Sequence, residues 1–326
     1  MPCTAPGTAV GDAIIAWFDH ATASETAHAG GKGASLSRML TAGLPVPPGF
    51  VICAGAFQEF LGSCHGADFV SRLMTGLDVH NDAALADASA KIQDLICSNP
   101  LLPGIARAIR DACGELGKDA VVAVRSSAIG EDSETASFAG QQETFLNVRG
   151  ADAVERCVKE CWASFFAPRA IFYRAQKGVL TDTRMAVVVQ EMVPATKSGV
   201  LFTLDPVMKR RDHMVIEAVF GLGEGIVSGM ITPDHYVVDR DDGSLVREFI
   251  SMQPLAVVHD AEAGGTMHRK LSEEEGGARV LSDDQLNELR EMGLRLEVFF
   301  GAPQDVEWCI RDRKLWLLQS RPITTL

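Results

Sequence analysis

No apolar run in this sequence approaches the ~18 residues that a membrane-spanning helix requires. The segment from Met1 to Phe18 has no basic start and carries Asp12 ahead of a short apolar patch, so it does not predict a secretion signal. With 326 residues, 47% of them hydrophobic and 22% charged, the chain is long enough for one large or two ordinary globular domains. We expect a cytoplasmic protein with no membrane partner.

Positive charge is also scarce in this chain. Lys and Arg number 30 against 43 Asp and Glu, which gives a formal net charge of −13. This balance excludes a nucleic-acid scaffold, because the neutralisation of phosphates needs clustered cations. The one basic run, Lys209-Arg210-Arg211, follows Asp205-Pro206 and predicts a solvated loop. If the protein handles phosphate, we expect it to use a few placed cations together with a metal ion.

Clustered Cys and His ligands are missing as well. The eight cysteines are scattered through apolar segments, and Cys157 and Cys161 form an i, i+4 pair in a helical pattern. No second Cys or His cluster lies near that pair to complete four ligands. We interpret the cysteines as core residues in a reducing cytosol, with a metal or redox pair at 157 and 161 as the alternative.

Helix and strand signals alternate along the chain, which predicts an α/β or α+β fold. Strand signals dominate after residue 184, so we place the boundary between two subdomains there, 1–184 and 185–326. A capping box at Ser282 and Gln285 predicts the start of a late helix, which Gly301 and Pro303 end. The other predicted helices span 34–42, 83–97, 103–116, 152–166 and 168–177, and the predicted strands span 121–124, 185–193, 199–204, 214–220, 236–238, 245–250, 304–310 and 314–320.

Two cations stand in contexts that suit phosphate binding. Lys32 lies between glycines at the start of a helical pattern, where free N–H groups and the helix dipole favour an anion. Arg125 follows the buried run 121–124, and an arginine held at a strand end can fork onto phosphate oxygens. The Walker spacing G-x-x-x-x-G-K-[ST] is absent, so the GGKG segment is also consistent with a plain turn. For Arg125 the alternative is a structural ion pair with a neighbouring acid.

The segment from Ser126 to Gln142 is polar and punctuated by glycine. A mobile loop of this composition can close over a polyphosphate and exclude water. Gly140 lies within it and Thr144 just beyond it, so both are candidates for phosphate contact.

The stretch Gln190-Glu191-Met192-Val193 follows a predicted strand. A strand that runs out into a linker offers backbone N–H and C=O groups to a purine edge. Met192 and Val193 would then form apolar walls around the base. An ordinary strand exit explains this stretch equally well.

The final two strands carry the most informative polar pattern. Their alternation places Asp305 and Glu307 on one face and Gln319 and Arg321 on one face. A three-residue turn at 312–314 would set Glu307 opposite Gln319 and Asp305 opposite Arg321. A carboxylate beside an amide oxygen is a platform for Mg²⁺, and the arginine can neutralise developing phosphate charge. A two-residue turn would break this pairing, and an edge hairpin with cross-strand polar pairs is the alternative.

Together these segments resemble the nucleotide-binding domain of the phosphoenolpyruvate synthase and pyruvate phosphate dikinase family. The resemblance covers nearly the whole chain, with its blocks in the family's order. The matching segments are GGKGASL (30–36), PVPPGF (45–50), VRSSA (124–128), SFAGQQETFLNV (137–148), QEMV (190–193), SGVLFTLDP (198–206), EAVFGLGEGIVSG (217–229), TPDHYVV (232–238), PQDVEW (303–308) and LQSRPIT (318–324).

The resemblance implies an ATP-grasp fold, with the nucleotide in the cleft between two subdomains. The catalytic residues that it implies are Lys32, Arg125, Asp305 and Arg321. The ATP-binding residues that it implies are Lys32, Arg125, Gly140, Thr144, Gln190, Glu191, Met192, Val193, Glu217, Glu307, Gln319 and Arg321. The implied ligands of Mg²⁺ (or Mn²⁺) are Glu307 and Gln319.

The family's ATP domain is followed by a swivelling domain with a phosphorylated histidine, in a Thr-x-His-Ala-like segment. None of the eight histidines here lies in such a segment, and His235 belongs to the family's own PDHYVV stretch. We therefore expect the carrier histidine on a partner subunit, in a hetero-oligomer. The expected reaction converts ATP to AMP and phosphate and leaves a phosphohistidine on the partner, which then phosphorylates a small hydroxyl acceptor.

The acceptor is predicted only by analogy. Split arrangements resembling this one occur in phenylphosphate synthase and related phenol or cresol phosphorylating systems, which favours a phenolic acceptor and a role in aromatic compound catabolism. A split pyruvate,water dikinase is the second hypothesis and an antibiotic phosphotransferase component the third. Two other classes stay open, a nucleotide-responsive regulatory subunit that releases no AMP and a carboxylate–amine ligase that forms ADP.

Overall fold

The structure is a computed structural model, and it describes residues 13–129, 143–178, 180, 183–260 and 265–324. The described chain divides into two compact units. The first contains the residues up to Thr41 and those from Pro48 to Glu191, and the second contains 42–47 and the residues from Met192 onward. Among the described residues, no helix combines the length and the apolar character needed to cross a membrane.

The first unit is built on a five-stranded antiparallel sheet in the order β1-β2-β5-β3-β4. The strands are β1 Ile15–Trp17, β2 Gly49–Ile52, β3 Val121–Ala128, β4 Thr144–Arg149 and β5 Met185–Glu191. The helices are α1 Thr26–Thr41, α2 Ala54–Ser63, α3 Gly66–Met74, α4 Asp82–Ser98, α5 Pro103–Leu116, α6 Ala151–Ser164 and α7 Pro168–Gln176, preceded by a 3₁₀ turn at Ala21–Ser24.

The two faces of this first sheet have different partners. One face contributes Phe50, Val124 and Val189 to the main core, where helices α2 to α7 supply the remaining side chains. Trp162 of α6 stacks on Phe57 of α2 at 5.0 Å between ring centroids, at the centre of this core. Helix α1 lies against β3 and β5. Because side chains alternate along a strand, the residues between the core-facing ones are turned toward α1.

The second unit is built on a six-stranded antiparallel sheet in the order β13-β12-β6-β7-β8-β9, with a separate hairpin of β10 and β11. The strands are β6 Lys197–Phe202, β7 His213–Phe220, β8 Asp234–Asp239, β9 Leu245–Phe249, β10 Leu255–His259, β11 Thr266–Lys270, β12 Gln304–Arg311 and β13 Lys314–Pro322. The helices are α8 Glu224–Val227, α9 Glu273–Gly276 and α10 Asp283–Phe300.

Helix α10 covers one face of the six-stranded sheet. A Cβ added to Gly293 would lie 3.0 Å from Leu201 and 3.3 Å from Thr203, so the helix backbone approaches β6 closely. The predicted capping box is confirmed, since Ser282 Oγ accepts a hydrogen bond from the Gln285 backbone N–H. Gly301 ends the helix in the left-handed conformation, with φ of 72°.

The predicted α+β class is confirmed, and the described chain divides after Glu191, whereas the sequence pattern placed the boundary near residue 184. Strand β5 begins at Met185 and pairs with both β2 and β3, in the middle of the first sheet. Its hydrogen bonds therefore tie residues 185–191 to the first unit, and the division follows Glu191. The segment 42–47 also groups with the second unit, because the backbone N–H of Leu317 donates to the carbonyl of Pro45.

Candidate functional site

The glycine turn around Lys32 is held by a serine from β3. Gly30 interrupts α1 with φ of 69° and ψ of 177°, so a fresh helical turn starts beside Lys32. Ser127 Oγ accepts from the Gly33 backbone N–H at 3.3 Å and donates to the Ala29 carbonyl at 2.8 Å. A Cβ on Gly30 would lie 2.3 Å from the Ser127 carbonyl oxygen. These glycines are therefore required by the packing of α1 on the sheet, a reason that the sequence pattern did not reveal.

Arg125 and Thr144 lie directly opposite each other on β3 and β4, and Gln190 of β5 lies two pairs further along β3, opposite Ala123. Their chain neighbours Val124, Phe145 and Val189 pack in the core, so all three residues lie on the face on which α1 packs. Arg125 is buried and Lys32 is half-buried. The first unit thus brings together four predicted site residues: Lys32, Arg125, Thr144 and Gln190.

Gln190 has a buried amide nitrogen with no partner. Its side chain is only 3% exposed, and no acceptor among the described residues forms a hydrogen bond with Nε2. A buried donor left without an acceptor costs about 1–3 kcal/mol. Such a group is suited to an acceptor that arrives with a ligand.

The backbone of Glu191 is only partly available to a ligand. Its N–H donates to the carbonyl of Pro48 at 2.9 Å. This donor is therefore already used within the first unit, and the adenine-side role expected for residues 190–193 stays a prediction. Glu191 keeps a half-buried side chain at the end of β5.

The final hairpin has the predicted cross-strand pairs, although its turn is not the predicted one. Glu307 lies opposite Gln319 and Asp305 opposite Arg321. The turn contains two residues, Asp312 and Arg313, both with positive φ. A bulge beside Glu307, in which Leu318 is the extra residue, then restores the register that a two-residue turn would have lost.

Asp305 and Arg321 form a close ion pair at the start of β12. Nη2 and Nε of Arg321 lie 2.7 and 2.8 Å from the same oxygen, Oδ2 of Asp305. Burial raises the pKa of the Asp305 carboxyl, against the lowering effect of Arg321, and the charges of Glu307 and Glu217 raise it further. Three carboxylates therefore act on one another at this site, and a bound cation would relieve their repulsion.

A row of polar residues crosses the six-stranded sheet through Glu307. Val200 of β6 separates Glu307 from Glu217 of β7, and His235 of β8 follows Glu217. The Nδ1 atom of His235 lies 3.7 Å from Oε1 of Glu217. Because directly paired residues share a face, Glu217 and His235 lie on the same side of the sheet as Glu307 and Gln319.

Apolar residues occupy one end of this face. Met192 and Val193 pack against a cluster that includes Val219, Leu222 and Cys309. Cys309 and Glu307 are two positions apart on β12, about 6.6–6.8 Å along the strand, and Asp305 is two positions further. The face therefore changes from apolar at Cys309 to acidic at Glu307 and then to the Asp305–Arg321 pair. This order suits a molecule with an apolar ring at one end and anionic groups at the other.

The donor set on this face fits Mg²⁺ better than a transition metal. The described residues contain no group of three or more His, Cys, Asp or Glu arranged to hold a metal ion. Mg²⁺ needs no such cage, since it is usually held by one or two carboxylates together with the phosphates of a substrate. The paired carboxylate of Glu307 and amide of Gln319 match that requirement. Gly140, the other predicted residue of the phosphate loop, lies outside the described residues.

Sequence reasoning missed two residues that shape the site. Ser127 was grouped with a loop, yet it lies on β3 and fixes the turn before Lys32. His235 was considered only as a carrier candidate, yet it contacts Glu217. The position of Ser127 could have been predicted, because a residue two positions after Arg125 on the same strand lies on the same face of the sheet. Nothing in the sequence signalled the second, because it depends on the pairing of β7 with β8.

Comparison with known proteins identifies the class to which this fold and site belong. Residues 26–326 match the family model described as the pyruvate phosphate dikinase AMP/ATP-binding domain. The chain belongs to this family.

Two curated relatives illustrate the range of the family. The chain is 44% identical over 319 residues to the probable phosphoenolpyruvate synthase of Methanocaldococcus jannaschii, covering 96% of this chain and 27% of that protein. It is 40% identical over 306 residues to the rifampicin phosphotransferase of a Streptomyces species, covering 93% of this chain and 35% of that protein. The chain thus spans about a quarter to a third of the length of these two relatives.

Among solved structures, D-alanyl-alanine synthetase A from Vibrio cholerae aligns with 68% of this chain and 47% of its own, at 9% identity and a TM-score of 0.27. That overlap is too slight to bear on the fold. The resemblance stated from the motifs is confirmed at the level of the family, whereas the likeness to phenylphosphate synthase stays a prediction.

Proposed function

We propose that this chain binds ATP with Mg²⁺ in an ATP-grasp fold and delivers a phosphoryl group to a histidine outside these 326 residues. The histidine nitrogen attacks the β-phosphorus of ATP, the bond from that phosphorus to the α-phosphate oxygen breaks, and AMP leaves. Hydrolysis of the pyrophosphorylated histidine then releases inorganic phosphate and leaves phosphohistidine. The observation that carries the proposal is the pairing of Glu307 with Gln319 and of Asp305 with Arg321, beside an apolar wall.

The first unit supports binding of the triphosphate and the base. Lys32 and Arg125 supply positive charge on the α1 side of the first sheet, with Thr144 directly opposite Arg125. The orphaned amide nitrogen of Gln190 offers a donor to an acceptor of the purine or ribose. These residues would bind and orient ATP, since phosphoryl transfer depends mainly on positioning and charge neutralisation.

The second unit supports binding of the metal and stabilisation of the charge that develops. Glu307 and Gln319 would hold Mg²⁺, which when bound supplies charge neutralisation to the phosphate oxygens. Arg321 is oriented by Asp305 and remains 40% exposed, so its guanidinium can also meet a phosphate oxygen. Glu217, which lies beside His235, is close enough to raise the pKa of the Asp305 carboxyl.

The phosphoryl acceptor is the finer part of the proposal. Relatives are named phosphoenolpyruvate synthase and rifampicin phosphotransferase, which favours pyruvate over the phenol or cresol expected from the split arrangement. The three proposed classes of acceptor are pyruvate, phenol or cresol, and an antibiotic. The reactions with all three would form AMP in the same way and would differ only after the histidine is phosphorylated. Pyruvate is therefore the first acceptor to test, with phenol and p-cresol alongside it.

The test uses ATP labelled at the α-phosphate to detect AMP and, in a parallel reaction, ATP labelled at the β-phosphate to detect phosphohistidine. The purified chain is mixed with fractions of an extract of its source cells. The polypeptide whose addition allows AMP to form is then purified. AMP and an acid-labile phosphohistidine on that polypeptide are expected. ADP as the product would indicate a carboxylate–amine ligase instead. Tight ATP binding with no AMP in any fraction would indicate a regulatory subunit and would refute the proposal.

A further inference from the structure

One end of the second unit carries an exposed apolar and cationic surface that the proposed ATP site does not use. Val207 and Val298 are 84% and 85% exposed, the largest values among the exposed large hydrophobics of the described residues, and Met208 and Phe299 are exposed as well. Two cations, Lys209 and Arg211, lie beside them in the chain and are also exposed. We call these six residues the docking patch.

The loop of this patch is held in a defined conformation. The buried Asp205 accepts hydrogen bonds at Oδ1 from the backbone N–H groups of Val207 at 3.0 Å and Met208 at 2.9 Å. Its backbone exchanges two hydrogen bonds with Arg210, which close the loop. Lys209 takes a left-handed conformation with φ of 53°. The loop therefore presents Val207 and Met208 to solvent from an ordered base, although both would gain by burial.

The helical part of the patch lies next to this loop. Val298 and Phe299 follow Glu297 in the last turns of α10. Glu297 binds Arg240 at 2.8 Å, and Arg240 also donates to the carbonyl of Thr203, just before the loop. The pKa of Glu297 is lowered. Burial raises this pKa, but hydrogen bonds from Arg240 and Thr203 and the positive charges of Arg240 and Arg211 lower it more. Arg211 thus links the loop electrostatically to the end of α10.

The patch lies at the strand end that carries the Asp305–Arg321 pair. Strand β6 leaves the sheet at Phe202, which is paired with Asp305, and the Thr203 N–H donates to the Gln304 carbonyl. Helix α10 ends at Phe300, four residues before β12 begins. The loop, the end of α10 and the pair therefore share one end of the second unit. Helix α10 covers the face opposite to Asp305, whereas the loop lies at the end of the sheet next to Phe202 and Asp305. A polypeptide that brings a histidine to phosphates at this end therefore comes within reach of the loop.

We propose that the docking patch binds the polypeptide that carries the phosphoryl-accepting histidine, through an apolar recess on that polypeptide rimmed by carboxylates. This inference rests on the proposed function. Exposed Met and Arg side chains with an apolar centre are typical of such contacts. The charge supports it too, since Lys209 and Arg211 are exposed cations on a chain whose formal net charge is −13. An acidic partner is therefore drawn to this end by charge complementarity.

The test compares Val207→Asp with Val227→Asp, in the AMP-forming assay with the purified histidine-bearing polypeptide. Val227 is 79% exposed on α8, which follows β7 at the opposite end of the sheet, so it is a matched control. We expect Val207→Asp to raise the KM for the polypeptide at least about tenfold, which corresponds to ~1.4 kcal/mol. The kcat at saturating polypeptide and the Kd for ATP should stay as in the wild type, and Val227→Asp should change none of these.

Reversal of the charges of Lys209 and Arg211 gives a second test, which does not depend on the apolar contact. Lys209→Glu with Arg211→Glu should slow association with the polypeptide and weaken the salt dependence of the KM. An unchanged KM in both arms would overturn the docking patch while leaving the proposed function intact. If the chain self-associates and Val207→Asp abolishes this self-association, the patch binds a second copy of the chain and the proposal is overturned. A wild-type chain that forms AMP with no polypeptide would refute both.

Discussion

Arg321 holds the Asp305 carboxylate with two nitrogens on one oxygen, at 2.7 and 2.8 Å, at the end of the six-stranded sheet. The aspartate side chain is mostly buried whereas the arginine is partly exposed. The pair therefore fixes the orientation of the guanidinium, while the arginine side chain stays 40% exposed. This arrangement suits a cation that must meet a phosphate without moving.

The Arg321→Lys variant tests whether the forked geometry matters beyond the charge. Lysine keeps the positive charge but cannot make the same planar contacts. We expect AMP formation with the histidine-bearing polypeptide to fall about 10²–10³-fold, the usual loss on removal of one stabilising donor. The melting temperature should change little. Near-normal AMP formation in this variant, or in Arg321→Ala, would contradict the role given to Arg321.

Lys32→Ala tests the cation beside the glycine turn. Its loss should abolish turnover, because a positive charge next to the phosphates disappears while the α1 backbone stays packed on Ser127. Lys91→Ala is the matched control, since Lys91 is a helical lysine of the same unit paired only with Asp87 in the described chain. ATP affinity and AMP formation are measured for both. If the two variants bind ATP and form AMP equally well, Lys32 does not contact the phosphates.

Gln190→Leu separates stability from ligand binding. The buried Nε2 has no acceptor among the described residues, so its replacement should leave the free energy of unfolding unchanged or raise it by about 1 kcal/mol without nucleotide. ATP should bind more weakly, and its stabilisation of the protein should shrink accordingly. Thermal unfolding with and without ATP gives both quantities. A variant that is less stable alone but binds ATP normally would show a purely structural role.

Gly30→Ala tests the packing that forms the glycine turn. The left-handed φ disfavours alanine by about 1–2 kcal/mol, and the clash with Ser127 should add about 1–3 kcal/mol. Gly76→Ala is the control. Gly76 has a similar φ of 73°, but a Cβ added to it would have no atom within 4 Å. Urea unfolding should show a clearly larger loss for Gly30→Ala. Equal losses would mean that the contact with Ser127 contributes nothing.

Asp234→Ala tests a buried carboxylate that organises the second unit. Asp234 accepts hydrogen bonds from the backbone N–H groups of Ser251 and Val280, at 3.0 and 2.9 Å, and from the Tyr236 hydroxyl at 2.7 Å. Removal of the acceptor leaves buried donors unsatisfied, at about 1–3 kcal/mol each. We expect a free energy of unfolding several kcal/mol lower, measured by urea denaturation. A loss below about 1 kcal/mol would show that water replaces the carboxylate.

Much of the local structure could be predicted from the sequence. The Ser282–Gln285 capping box is a contact within one turn, so it needed no tertiary information. The shared faces of β12 and β13 follow from alternation alone, whereas the pairs Glu307–Gln319 and Asp305–Arg321 also depended on the register, which was predicted correctly. The turn itself was not, because a two-residue turn combined with a bulge gives the same register as a three-residue turn.

By itself, the sequence determined the α+β class, the family, and the residue types able to contact phosphate, metal and base, because these depend on composition, alternation and short motifs. The tertiary structure alone decided that β5 belongs to the first sheet, that Ser127 holds the Lys32 turn, and that Glu217 and His235 lie in line with Glu307. Those relationships join segments that are far apart in the chain. Which strands become neighbours is set by the burial of whole faces, and no local pattern encodes that choice.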